Sequence, residues 1–181
     1  MSLKDYIEQN LISEARLPFP FLKENWMAHA LDCDAFLNEE DFKLVKICID
    51  EITHDTSIKC CLTSFFYNPR QTLWLSEWET PCDWTAFSET IERYSVVSYS
   101  GMYFFGNSEK WGGIIVDGAL VVLGGESCFM KRFEELSGGY LALKDRFEKR
   151  VLFYDDPSRK SRVSEDALLM DLTKTLYSRS S

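Results

Sequence analysis

Residues 111–125 read WGGIIVDGALVVLGG, a run in which two apolar segments flank an Asp-Gly pair. Asp117-Gly118 favours a two-residue type I′ turn, because both central residues of that turn take positive φ. The flanking segments, Trp111–Val116 and Ala119–Leu123, show no alternation of apolar and polar positions. Unbroken apolar runs of this length are typical of strands that are buried on both faces. We therefore predict a central hairpin whose two faces are covered, at least partly by helices.

The rest of the chain adds three strands and several helices to this hairpin. Predicted strands span residues 58–67, 72–78 and 95–105, and the first two form a hairpin across the Asn68-Pro69 turn. Predicted helices span residues 3–11, 38–52, 83–94, 127–136, 140–152 and 164–176. Residues 17–21 predict an extended strap, residues 26–37 are ambiguous, and Gly124-Gly125 predicts a tight turn from strand to helix. The prediction is a single α+β domain over residues 1–181, with a mostly antiparallel sheet of about five strands flanked by helices.

The charge balance limits the classes of partner. The 181 residues include 29 acids and 20 Lys or Arg, which gives a net charge of -9. A surface of this sign repels a phosphate backbone and argues against nucleic acid as a partner. Two interpretations remain open: the acids serve solubility, or they steer a basic protein toward one face.

The start of the chain and its cysteines bear on location. An acid follows almost at once after Met1, no apolar segment of a secretory signal is present, and no run approaches the ~18 apolar residues of a spanning helix. We therefore expect a cytoplasmic protein that has no membrane partner. The six cysteines are then expected to be reduced, buried thiols.

Candidate catalytic groups are few. His29 and Cys33 are four residues apart, but two ligands leave half of a tetrahedral zinc site unfilled, so we predict neither a metal nor a cofactor. The alternative is a small hydrolase in which Cys128, at the first turn of a predicted helix, is paired with a histidine. His54 follows the helix over residues 38–52, where a capping role explains it better than catalysis.

Two groups of residues are candidate partner-binding positions. On the predicted strand 72–78, Trp74 and Trp78 project to one side, and this side faces either the helices or a partner. In the second case it forms a patch that binds protein, rimmed by acids, since tryptophans dominate binding energies. The first group is therefore Trp74, Trp78, Glu77, Glu79 and Asp83. The second is Glu39, Glu40 and Asp41, where charge reversal is predicted to leave folding almost unchanged.

The stretch from Tyr103 to Gly125, continued by the helix with Phe129 and Phe133, resembles bacterial immunity proteins that are encoded beside polymorphic or contact-dependent toxins. The shared pattern is an aromatic strand, a Trp-Gly strand and a helix after Gly-Gly, over about thirty residues. The resemblance implies a noncatalytic, acidic, cytoplasmic protein that neutralises a basic toxin domain by binding it. An intracellular scaffold with another partner is a further alternative, and self-association into a homodimer stays open.

Overall fold

The computed structural model describes residues 23, 25–31, 37–63, 74–94, 101–116 and 120–154. Several predictions from the sequence lie outside these residues. They are the helices over 3–11 and 164–176, the strap over 17–21, and the turns at 68–71 and 117–118.

In the described part of the chain, six strands form one sheet in which every neighbouring pair is antiparallel. The order across the sheet is β1-β6-β5-β4-β2-β3, so β4, β5 and β6 are consecutive neighbours at its centre. This arrangement confirms the predicted α+β class, with one strand more than expected. The strands are β1 (Trp26–Leu31), β2 (Ser57–Thr63), β3 (Trp74–Pro81), β4 (Gly101–Gly106), β5 (Trp111–Val116) and β6 (Leu120–Glu126).

The additional strand is β1, which lies in the stretch that the sequence left ambiguous. Its residues, WMAHAL, include no β-branched residue, so intrinsic preference does not indicate a strand. Pairing with β6 along its whole length imposes the extended conformation. β6 in turn continues to Glu126, so the prediction of a turn at Gly124-Gly125 is wrong: both glycines are strand residues.

Among the described residues four α-helices accompany the sheet, and two of them begin at predicted caps. Asn38 accepts a hydrogen bond from the backbone of Asp41 (2.8 Å), and Asp83 accepts one from Ala86 (2.9 Å). The first helix runs into a π-helical turn, Ile49–Thr53, that ends at His54 in the left-handed conformation (φ 56°). No described helix is long and apolar enough to cross a membrane. The helices are α1 (Glu39–Cys48), α2 (Trp84–Tyr94), α3 (Ser127–Leu136) and α4 (Tyr140–Tyr154).

The described helices pack on one face of the sheet through aromatic side chains. Phe104 of β4 meets Phe87 of α2 edge to face at 5.5 Å between ring centroids. Trp111 of β5 stacks on Phe129 of α3 at 5.4 Å. The opposite face is buried as well, for example at Ile114. Burial on both faces of the central strands agrees with the unbroken apolar runs.

Two adjacent glycines of β5 lie under aromatic rings on opposite faces of the sheet. Gly112 is paired with Phe105 and Gly113 with Phe104. A Cβ atom at either glycine would overlap the ring of its partner. Both positions therefore require glycine because a ring closely covers the backbone.

Candidate functional site

The residues of the hydrolase alternative have different surroundings. His29 is buried, and its Nε2 lies 2.6 Å from Oε1 of Glu134. His54 is exposed, and its backbone N–H donates to the carbonyl of Ile49 (2.7 Å), so the residue ends the π-helical turn through its backbone. Cys128 lies in the first turn of α3, as the sequence predicted, but it is exposed, so the expectation that all six cysteines are buried is wrong. The structure thus gives the buried imidazole a carboxylate as hydrogen-bond partner.

The buried thiols are poor nucleophiles. Burial raises the pKa of Cys48 to about 12 and that of Cys82 to about 11, so both are protonated at neutral pH. Cys60 and Cys61 are fully buried, on opposite faces of β2. Within the described part of the chain, no group of three His, Cys, Asp or Glu side chains could hold a metal ion.

Asp55 is a buried carboxylate with a structural role. It is 5% exposed and accepts hydrogen bonds from Thr53 Oγ1 (2.7 Å), Trp111 Nε1 (2.8 Å) and the hydroxyl (2.9 Å) and backbone amide of Ser108. Asn107 reinforces the same junction, because its side-chain oxygen accepts from two backbone amides, at positions 56 and 57. These contacts join the segment after the π-helical turn to the β4–β5 connection.

Asp41 is the second buried carboxylate, and its position corrects one prediction. It is 2% exposed and bonds to both terminal nitrogens of Arg146 on α4 (3.1 and 3.2 Å) and to the side chain of Asn38 (2.9 Å). A partner cannot reach this carboxylate at the surface. The prediction that Asp41 is a surface acid is therefore wrong, and its burial beside Arg146 leads us to expect that charge reversal there destabilises the fold.

The other acids near α1 are largely neutralised within the chain. We define the α1 segment as residues 38–54, which contain five acids. Glu39 pairs with Lys43 (2.9 Å), and Asp50 pairs with Lys46. Arg132 of α3 donates to both carboxylate oxygens of Glu51 at 2.7 and 3.2 Å and holds the pKa of that carboxyl below its usual range. With the Asp41–Arg146 pair, four of the five acids have a basic partner; the fifth, Glu40, is exposed.

A second group of five acids lies on β3 and α2, at one end of the described sheet. Residues 74–94 contain these acids and one base, Arg93, which gives a net charge of -4. The carboxylate of Glu79 accepts from the hydroxyl of Ser57, and that of Asp83 accepts from a backbone amide. Both contacts leave the negative charge in place. We call this group, in which every member is exposed, the acidic edge: Glu77, Glu79, Asp83, Glu89 and Glu92.

The acidic edge differs from the predicted patch in the position of its tryptophan. Trp78 is paired with Cys60 and packs, half-buried, against the core on the helix-covered face. Glu77 and Glu79 alternate with it along β3, so they project to the other face. Of the two alternatives that the sequence left open for the tryptophan side of this strand, Trp78 therefore follows the first and faces the helices. Trp74 is the first residue of β3, and its side chain is not among those that the structure describes.

Glu89 and Glu92 are two members that the sequence analysis missed. The apolar period of α2 indicated their exposure, because it places Phe87 and Ile91 in the core. Positions 85, 89 and 92 then form the opposite, solvent-facing stripe. Reading the polar stripe together with the acids of the preceding strand would have identified the whole acidic edge.

Comparison of the chain with protein-family models, with curated proteins and with solved structures gave no match.

Proposed function

We propose that the protein is a noncatalytic binder of a basic protein and that the acidic edge is its contact surface. The observation that carries the proposal is the exposure of five carboxylates on a segment with a net charge of -4. Such a concentration of one sign attracts a basic surface over several ångströms and speeds its association.

The surroundings of the acidic edge support a preformed surface. Glu77 and Glu79 project from β3, which pairs with β2 along its length, and Asp83 caps α2. Glu89 and Glu92 add negative charge on the outer side of that helix, which packs on the face of the sheet opposite to Glu77 and Glu79, so the five acids surround the edge strand β3. Because the strand or helix holds the backbone of four of them and the cap hydrogen bond holds Asp83, a partner would meet them without a large ordering cost.

We further propose that the partner is a toxin and that the protein acts as its immunity protein. The stretch that resembles immunity proteins forms β4, β5, β6 and the beginning of α3. These elements supply the core of the sheet, including Phe104, Trp111 and Phe129. On this proposal the resembling stretch builds the scaffold, while the adjacent acidic edge contacts the toxin domain.

The test begins with identification of the partner. The purified protein is immobilised and exposed to a lysate of its native cell, and the proteins that it captures are identified by mass spectrometry. Each captured protein is then purified, and its association rate is measured at low and high salt. We expect a basic protein whose association slows as salt screens the charges.

A charge-matched pair of variants separates a local surface from net charge. In one variant, Glu77, Glu79 and Glu89 are replaced by Lys. In the control, three acids that pair with lysines on α1 and α4 are replaced in the same way; these are the exposed Glu39 and Asp145 and the half-buried Glu148. We expect slow association of the first variant alone. Equal slowing of both would contradict the acidic edge as the binding surface, and an acidic or neutral partner would contradict the proposed function.

A further inference from the structure

A buried histidine joins β1 to the two C-terminal described helices. His29 is 2% exposed, and its Nε2 lies 2.6 Å from the Glu134 carboxylate of α3. The edge of the ring also meets the ring of Tyr140 on α4, at 6.2 Å between centroids. One imidazole therefore contacts both helices beside their connection.

That connection is short and depends on two glycines. Gly138 and Gly139 both have positive φ, 89° and 94°, and they separate the end of α3 from the start of α4. Glu134 and Tyr140 lie on opposite sides of these glycines. The contacts of His29 thus hold the end of one helix and the start of the next against the same strand.

The groups around the ring decide what its protonation does. Glu134 from α3 and Tyr140 from α4 are two titratable groups that face it. Its neighbour across the sheet, Leu123 of β6, is apolar and fully buried. A second proton on the ring would place a positive charge in this setting, with one partly exposed carboxylate to balance it.

We propose that the His29–Glu134 pair is a pH-sensitive clamp, in which protonation of His29 loosens α3 and α4 from β1. Acidification would then open this corner of the molecule before the rest unfolds. The proposal is independent of the acidic edge and of the proposed function.

The direction of the pH effect follows from burial. Burial lowers the pKa of His29 below 6.5, and the charge and hydrogen bond of Glu134 oppose that change in part. In the unfolded chain the imidazole binds its second proton near pH 6.5, whereas in the folded protein it binds that proton only at a lower pH. The unfolded state therefore binds more protons in this interval, and stability decreases as the pH falls below about 6.5.

The first experiment follows the two imidazoles by NMR during a pH titration of the intact protein. We expect the midpoint of His29 below 6.5, accompanied by faster amide exchange in β1, α3 and α4 than in the β4–β5 pair. A midpoint at or above 6.5, or acceleration spread evenly over the sheet, would overturn the proposal. This measurement needs no variant.

The second experiment compares urea unfolding at pH 7.5 and 5.5. A single histidine of this kind raises the unfolding equilibrium constant by up to about tenfold over that interval. We expect His29→Gln, which keeps an amide donor but cannot be protonated, to remove most of this increase. His54→Gln is the matched control and retains it, because the exposed ring is hydrated in both states.

Glu134→Gln tests the pair from the other side. The amide keeps a hydrogen-bond partner for the ring but removes the charge that balances an imidazolium, so we expect a larger increase than in the wild type. The clamp would be overturned if the unfolding equilibrium constant of His29→Gln rose between pH 7.5 and 5.5 as much as that of the wild type. It would also be overturned if that of Glu134→Gln rose less than that of the wild type.

Discussion

The α1 segment and the acidic edge each carry five acids, yet they differ in the bases that accompany them. In the α1 segment, Lys43 and Lys46 lie one turn from their acidic partners, and Arg132 and Arg146 reach in from other helices. Residues 74–94 contain a single base for their five acids. A count of acids along the chain therefore does not locate the negative surface, because distant helices supply the neutralising charges.

The comparison also separates acids that stabilise the fold from acids that face solvent. Asp41 and Asp55 are buried, and each accepts several hydrogen bonds. The acidic edge consists of exposed side chains on a regular backbone. If this division is right, the two kinds of acid differ sharply in what their replacement does to stability.

The largest effect is expected for the tryptophan that donates to Asp55. Trp111 is fully buried between that carboxylate and Phe129, so Trp111→Ala leaves a cavity and removes one of the hydrogen bonds that the buried carboxylate accepts. We expect a loss of about 3–5 kcal/mol in the free energy of unfolding, measured in urea. Trp111→Phe, which retains a ring but no N–H donor, should lose less. An unchanged melting temperature for the alanine variant would contradict the core position.

Asp55→Asn tests the carboxylate itself. The side-chain amide has one acceptor oxygen instead of two and turns two hydrogens toward existing donors. We expect a loss of about 3 kcal/mol, because hydrogen bonds to a buried charge are strong and several are broken together. Thermal unfolding measures the change, and a loss below about 1 kcal/mol would place Asp55 with the solvent-facing acids.

Asp41→Asn should have an intermediate effect. The buried carboxylate is lost, but its partner Arg146 is one-third exposed and regains water. We expect a loss of about 2 kcal/mol, read from urea unfolding. Glu40→Gln, at the exposed neighbouring position, is the control and should change stability by less than about 0.5 kcal/mol. Equal effects at the two positions would remove the distinction between them.

The smallest effect on stability is expected at the acidic edge. Single replacements of Glu77, Glu79 or Glu89 by Lys should each change the free energy of unfolding by no more than about 0.5 kcal/mol, because the side chains are exposed. Far-ultraviolet circular dichroism and thermal melts provide the measurement. A loss above about 2 kcal/mol for any one would show that its carboxylate stabilises the fold and would contradict its place in a binding surface.

Local sequence signals predicted much of the fold. The apolar run before Asp117-Gly118 indicated β5, Asn38 marked the beginning of α1, and Asp83 marked that of α2. Each of these signals acts within a few residues and needs no tertiary information. β1 was not predicted because its conformation comes from pairing with β6, about ninety residues later in the chain.

The candidate site was predicted only in part, for the same reason. Glu77, Glu79 and Asp83 were identified from their clustering with tryptophans, although Trp78 packs inward. Asp41 was assigned to the surface because its partner Arg146 lies 105 residues away. A short sequence window shows which residues are charged, but it does not show which of them meet an opposite charge across the fold.

The glycine pair in β5 has a consequence for how the hairpin aligns. A strand that is apolar on both sides has no inside–outside pattern to oppose a shift by one position. If β5 moved one residue along β4 in one direction, Phe104 would face Ile114; in the other direction, Phe105 would face Trp111. After either shift, one of the two rings would overlap a side chain of β5 at the place where it now lies over a glycine. The two glycines of β5, which have no side chains, thus select one strand alignment among several that would be equally apolar.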